Sequence, residues 1–497
     1  MNLPGLKQAL EDGGAAFEAV IIDACLMANM ETAWAVRDSA RWMIASEEDV
    51  PGKGTAVRDW LQELYFFPEM DGYQLGRNIC DMTLARYANG EDRQSRDTLT
   101  WSVVDLSRTE RLTETLDRLF QWIGEAYRGD PVALAVVAKF IRSAEEYGDG
   151  SQDMRDISDV LYNLSAAYYL DRTVRNETLA ALADAVAYTV RGSGRSGARG
   201  LSFCYPPDHS PAELDVYALN CPCPHYLALL DAVTGWSAPE TVYETAERLP
   251  EVNALDELKI RVSLTRDENG FPLVAFPNSM MNIGSLYYRL YRQDEATGET
   301  VCLGKTTCVL RVDEESGTYA MANEPWIWPH LDGYPCTMEL VMEKNYDEET
   351  VRVYNIPVQI GTDTYYLRCR QVNPFGSGNG RHYDVYGVWE KYDNNSQMAN
   401  RNVIRISQLA GQEYRLLSPL DLKETSVKYI AAGPYIQLKR YLGVSEEKLP
   451  EGTYWLEYEV EDQFMHGYTL PRLSFVWNGE KASFPGDEEW EGERVLN

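Results

Sequence analysis

An α/β sandwich over residues 1–236, followed by a β-rich, sandwich-like region, is the fold class this sequence predicts. Three observations carry it. Short β-branched runs alternate with apolar stripes of helical period through residue 236. A polar stretch with two prolines, SAPETVYETAERLPEVNALDEL (237–258), then reads as a linker with one short helix. Beyond it the apolar period changes to two, among frequent Gly turns and many tyrosines. The expected division is therefore 1–236, linker 237–258, a β-rich domain 259–375 and a second one 376–497.

Taken in order, MNLPGLKQALED reads as an interrupted amphipathic helix with Leu3, Leu6 and Leu10 on one face. Ala19–Ile22 is a short apolar run preceded by Gly13-Gly14, the pattern of a buried strand. Asn29 caps the next helix, with Glu31 in its first turn and Met30, Ala33 and Trp34 on one face. Arg41–Ser46 and Leu99–Leu106 read as a second and a third strand, the latter closed by the capping-box signature Ser107–Glu110. A helix follows with Leu112, Leu116, Leu119, Phe120 and Ile123 on one face, and residues 176–190 repeat the pattern through Leu179, Leu182, Ala183, Val186 and Val190. GSGRSGARG (192–200) reads as a flexible, basic hinge before a strand at Leu201–Tyr205, an ordinary surface loop in preference to a proteolytic site. In the β-rich part, 353–370 is a hairpin turning near Gly361 and Asp363, and GSGNGR (376–381) breaks the region in two. Thr453–Val460 buries Tyr454, Leu456, Tyr458 and Val460. Residues 478–497 read as a loosely ordered acidic tail. No internal repeat is evident.

A formal charge of −31 over 497 residues argues against nucleic acid and anionic membrane surfaces as partners. A hydrophobic content of 44% suits a folded protein of several domains. No apolar run reaches the length of a transmembrane helix, and no signal peptide is evident. Nine scattered cysteines fit a mostly reduced set with one or two pairs at most. Cys221-Pro222-Cys223 is too tight for a zinc knuckle and reads as a turn before a helix.

Cys25 stands where chemistry collects in open α/β sheets, at the carboxyl end of a strand just before a helix. A nearby helix N-terminus favours thiolate over thiol there. A lone cysteine is more often a buried structural one, and resemblance shifts that balance. Residues 22–54 supply Asp23-Ala24-Cys25-Leu26-Met27, Glu31, Ser46-Glu47-Glu48 and Pro51-Gly52-Lys53-Gly54. This block resembles the core of the clostripain-like cysteine peptidases, peptidase family C11 of the caspase-like clan. DTLTWSVVDLSR (97–108), DMRDISDVL (153–161), GLSFCYP (200–206) and YLALLDAVTGW (226–236) resemble later family blocks in the family's order.

The resemblance implies a caspase-like α/β/α sandwich and a bacterial protein that is secreted or displayed at the cell surface. It implies Cys25 as nucleophile and Asp23 as the wall of a pocket for Arg or Lys. A guanidinium pairs with a carboxylate through two parallel hydrogen bonds, so that role is chemically sound; a loop aspartate satisfied by amides is the alternative. Glu47 and Glu48 follow the second strand at the same sheet edge and are further substrate-binding candidates, one of them orienting the substrate or a loop, with a plain solvated pair equally open. Lys53 occupies a position that is often acidic in the family, and Thr55 replaces its Trp, which weakens the expected preference for basic residues. Asp153, Asp156 and Asp159 leave calcium open as a cofactor, although their spacing is not that of an EF-hand and a helix start favours acids anyway.

The family's general base is a His on the strand preceding the Cys. Only 24 residues precede Cys25, none of them His, while His209, His225, His330, His382 and His466 all lie downstream. The resemblance therefore implies a chain lacking the segment with the base, through an internal start, a separate light chain, or degeneration; the broken first helix favours the first. The expected function is a cysteine endopeptidase acting on polypeptides, incomplete without that segment. The rival is a non-catalytic binding or adhesion protein built on a degenerate peptidase scaffold.

Overall fold

The structure is a computed structural model that describes residues 3–496 apart from 89–97, 149–153, 167–170, 207–209, 277–281, 295–296, 314–316, 346–348, 375–380, 391–405, 421–426 and 487–489. The chain divides into two compact units. One is Met1–Lys259 with Gln463–His466, and the other is Ile260–Asp462 with Gly467–Asn497.

The first unit begins with α1 (Leu3–Asp12), whose Leu6 and Leu10 pack on the core. Then come β1 (Phe17–Ile21), α2 (Met30–Val36), β2 (Ala40–Ala45), α3 (Val57–Phe66), α4 (Gly72–Ala88) and β3 (Thr100–Asp105). After these follow α5 (Thr109–Gly129), α6 (Pro131–Arg142), β4 (Glu146–Tyr147), β5 (Met154–Asp156), α7 (Ile157–Asn163) and α8 (Arg172–Ala185). The unit closes with β6 (Val186–Arg191), β7 (Ser202–Cys204), α9 (Pro211–Ala218) and α10 (Pro224–Thr234).

The main sheet has the order β1-β2-β3-β6, with β1 parallel to β2 and the other pairs antiparallel. Side-chain alternation splits it into two faces. Met43, Ala45 and Val104 pack with α2, α5 and α10, while Ile44, Trp101 and Val103 pack with Ile79 and Cys80 of α4. The result is a three-layer α/β/α arrangement. Close approach of α4 to the sheet depends on Gly76, where an added Cβ would lie 2.7 Å from Val103. β4, β5 and β7 form a small separate sheet. β1 is an edge strand among the described residues.

Several expectations need correction. No capping box closes β3; Asp105 accepts from both the backbone N–H and the hydroxyl of Ser107, and a 3-10 turn leads into α5. The 176–190 stripe is not one helix. α8 stops at Ala185, and the β-branched run beginning at Val186 pairs with β3 as a strand. Residues 237–258 are not a linker, because Val242, Ala246, Val252 and Leu258 are buried in the core of this unit. Their polar neighbours face outward from short 3-10 turns, which the composition alone reads as exposed chain.

The β-rich unit is one body, not two in succession. Ile283–Gln293 lies between Thr300–Thr307 and Gly452–Asp462 in a single sheet, and Ile260–Arg266 pairs with Gly492–Leu496. One apolar core runs from Ile260 to Leu496. Pairing between distant segments thus overrides the Gly-rich break, of which 376–380 lie outside the described residues. The acidic end is no loose tail either: Trp490 is buried, and Gly492–Leu496 is a paired strand. The hairpin turns at Gly361-Thr362 between Glu349–Ile360 and Asp363–Pro374, and Tyr454, Leu456, Tyr458 and Val460 are buried.

Candidate active site

β1 ends at Ile21, and its ladder with β2 carries on through the Ile22 N–H, which donates to the Ile44 carbonyl at 2.9 Å. The chain then turns, and Cys25 sits exposed in that turn. Leu26 follows in the left-handed region, at φ 62°, unusual for a bulky residue and a sign of local strain. Three bonds hold the turn: Leu26 N–H to the Glu48 carbonyl (3.3 Å), Ala28 N–H to the Ser46 carbonyl (2.8 Å) and Asn29 Nδ2 to the Leu26 carbonyl (2.7 Å). Asn29 also caps α2 by accepting from the Thr32 N–H at 2.7 Å.

The Val50 N–H donates to Cys25 Sγ at 3.3 Å. Partial desolvation and the Asp49 carboxylate push the thiol above its ordinary value, against the pull of that Val50 N–H. Burial and Asp49 thus act against the lowering expected from a helix N-terminus. Asn29 already occupies the first turn of α2, and the charge that reaches the sulfur is negative.

Glu47 and Glu48 are not a solvated pair facing substrate, because both are buried. Glu47 Oε2 accepts the Gly200 N–H at 2.9 Å. Burial and nearby Asp156 hold the Glu47 carboxyl well above the usual range, and burial pushes Asp156 up to about 6. Glu48 Oε1 accepts the N–H groups of Asp49 (2.8 Å) and Gly148 (3.0 Å), and its other oxygen pairs with Arg195. These carboxylates shape the turn beside Cys25.

Asp23 is exposed, and its Oδ2 accepts from the Thr55 N–H (3.0 Å) and hydroxyl (3.1 Å). Gly54, at φ 61°, lies so close that an added Cβ would stand 2.7 Å from Oδ2. Thr55 thus fixes one side of the carboxylate. Asp23 Oδ1 has no hydrogen-bond partner among the described residues, which leaves it open to a cation. Lys53 is exposed in the turn closed by the Gly54 N–H on the Pro51 carbonyl, and it forms no ion pair among the described residues.

His225 is tied to Asp117, with Nδ1 2.8 Å from Oδ2 and its N–H on Oδ1 at 2.9 Å, so it serves the start of α10. His330 and His382 belong to the β-rich unit, and His209 lies outside the described residues. Asp153 also lies outside them; Asp156 caps α7 through the Asp159 N–H, and Asp159 accepts from the Glu145 N–H. No group of three or more metal-ligating side chains is arranged to hold an ion among the described residues. All nine cysteines are free thiols, Cys221 and Cys223 included.

The 192–200 loop is not a loose hinge. Arg195 is 6% exposed and Ala198 fully buried; Arg195 pairs with Glu48 and Glu145, and the N–H groups of Gly197, Arg199 and Gly200 fall on Glu145, Asp156 and Glu47. Sequence reasoning missed Arg195, Tyr147, Glu145 and Asp49. A guanidinium inside a Gly/Ser-rich loop carries no periodic signal of burial.

Solved structures resembling the chain include a clostripain from Bacteroides thetaiotaomicron in complex with a peptide inhibitor. It is 18% identical, with a TM-score of 0.32 over 43% of this chain and 90% of that one. A cysteine protease of B. fragilis is likewise 18% identical, with a TM-score of 0.33 over 48% of this chain and 94% of that one. An inactive zymogen C11 protease from Parabacteroides distasonis is 17% identical, with a TM-score of 0.34 over 44% of this chain and 61% of that one. No curated protein matches the chain. The strand, the Cys25 turn, the Ser46–Gly54 segment and the sheet through β3 all lie inside one stretch, and that stretch, residues 1–188, matches the clostripain family, peptidase C11.

Proposed function

We propose that this chain is a cysteine endopeptidase of the clostripain type, acting on polypeptides through Cys25. One observation carries the reading: an exposed thiol in a strained turn at the carboxyl end of β1, with a backbone N–H on its sulfur, inside the family-matched stretch. The thiolate attacks the scissile carbonyl carbon, and the electron pair moves to the oxygen. The Cys25 N–H is the natural donor to that oxyanion, since the Leu26 N–H is already engaged by Glu48. Collapse expels the amine, which takes its proton from an imidazolium, and water then hydrolyses the thioester.

The imidazole is to be supplied by a segment that pairs along the outer edge of β1. That edge carries unpaired main-chain groups among the described residues, and the thiol is pushed up, so a base is needed. Asp23 Oδ1 suits the guanidinium or ammonium of a basic residue before the scissile bond, while exposed Lys53 opposes it. Export from a bacterial cell accompanies this reading.

The test is hydrolysis of fluorogenic peptides by the chain alone and with a His-Gly-bearing segment added in cis or in trans. We expect negligible turnover alone, and restored turnover that vanishes in Cys25→Ala. Full activity of the 497-residue chain alone would assign the base to a downstream histidine and overturn the alignment. Turnover that survives Cys25→Ala would remove the nucleophile from the reading.

A further inference from the structure

We propose that Arg195 is a positioning residue for Cys25: by holding the Glu48 carboxylate it keeps the Val50 N–H on the thiol. This inference rests on the reading of Cys25 as nucleophile for its functional meaning. The geometry runs unbroken from the guanidinium to the sulfur. Arg195 is buried in a loop between β6 and β7 whose own turns are closed by the Arg195 N–H on Gly192 (3.2 Å) and the Ala198 N–H on Arg195 (3.2 Å). Its side chain pairs with Glu48, reaches Glu145 Oε1 at 3.0 Å and the Glu146 carbonyl at 2.9 Å, and lies over the Tyr147 ring.

Glu48 then folds back on its own backbone. Its Oε1 takes the Asp49 N–H at 2.8 Å, its carbonyl takes the Leu26 N–H, and two residues on the Val50 N–H meets Cys25 Sγ. A second line reaches the same turn, because Leu26 packs on Ala198, Tyr147 and Met154. The loop therefore grips the thiol's turn from both its polar and its apolar side. Removing the guanidinium leaves the buried Glu48 and Glu145 carboxylates without their cation, held only by the N–H groups of Asp49, Gly148 and Gly197. Glu48 must then seek water, and the Asp49–Val50 segment moves with it.

The readout is alkylation of Cys25 by iodoacetamide at neutral pH in the full chain, followed by peptide mass mapping, with half-buried Cys221 as the internal reference. Loss of one hydrogen bond to a thiolate lowers its fraction about tenfold. The gain in intrinsic nucleophilicity returns part of that, for a net slowing of about threefold. We expect Arg195→Met to show this slowing at Cys25 with an unchanged reference, and Arg195→Lys, which keeps the charge but not the fork, to recover part of the rate. An Arg195→Met protein that melts cooperatively and alkylates Cys25 at the native rate overturns the proposal. If Arg195→Met does not fold, Glu48→Gln decides: a slower Cys25 supports the clamp, and an unchanged one overturns it. Peptide hydrolysis by the reconstituted Cys25→Ala protein is read separately. Activity there defeats the peptidase reading, while the alkylation series still reports on Arg195.

Discussion

Gly54→Ala probes the pocket beside Cys25 through two separable effects. Gly54 stands at φ 61°, where an L-residue pays about 1–2 kcal/mol. The new methyl would also stand 2.7 Å from Asp23 Oδ2 and 3.2 Å from its Cγ, closer than real Cβ contacts allow. Asp23 is exposed, so its carboxylate swings away and gives up the Thr55 N–H and hydroxyl. Thr55 is buried, and leaving its N–H unsatisfied costs about 1–3 kcal/mol more. At about 2–4 °C per kcal/mol for a body of this size, the two costs together should lower Tm by roughly 4–20 °C in a calorimetric scan. In the reconstituted peptidase, kcat/KM for substrates with Arg or Lys before the scissile bond should fall about tenfold further than for neutral residues. Gly54→Asn separates the two effects: asparagine tolerates the left-handed region but still carries the Cβ, so it should recover the backbone part of the Tm loss and none of the selectivity. Equal losses on basic and neutral substrates, in a variant whose Tm falls as expected, would refute Asp23 as the cation's partner.

The sequence made most of the first unit legible because its signals are local. Asn29 caps α2, and the stripe from Leu112 to Ile123 is buried on α5. Period failed where a helix met a strand without a break: Leu182 and Val190 fit one stripe, yet β-branched Val186 begins a strand paired with β3. Composition failed wherever polar residues are buried with partners. The 192–200 loop looks solvated by its Gly, Ser and Arg content, but its backbone N–H groups land on carboxylates brought from more than forty residues away, and nothing in a single sequence encodes such pairs. Glu47 and Glu48 show the same limit. A solvated pair and a buried pair that orders a loop have the same letters, and only the fold supplies Gly200 and Arg195. Cys25 itself was legible by position, while the electrostatics of its thiol depended on Asp49, which no motif marks.

Further outcomes follow from the same geometry. Lys53→Glu should raise kcat/KM for basic substrates, by about tenfold at most because the side chain is exposed and screened; a fall would show that Lys53 itself binds substrate. Asp117→Ala should lower Tm through loss of the acceptor at the start of α10, by about 1 kcal/mol, and leave Cys25 alkylation unchanged, whereas slower alkylation would place His225 in the site. The buried acid pair makes a pH-dependent claim. Asp156 is pushed from an ordinary 3.8 up to about 6, and Glu47 is pushed in the same direction. The folded protein therefore keeps protons that the unfolded chain has already lost, so stability falls as pH rises. The contribution is complete below about pH 4 and is lost as pH rises through about 6. Glu47→Gln keeps an oxygen for the Gly200 N–H but cannot titrate, so it should flatten this part of the curve. The Tm advantage of the native protein over the variant should thus be largest at the acid end and shrink towards neutrality. An advantage that grew with pH would mean that Glu47 is ionised in the fold, held by a cation that the pairing with Asp156 does not provide.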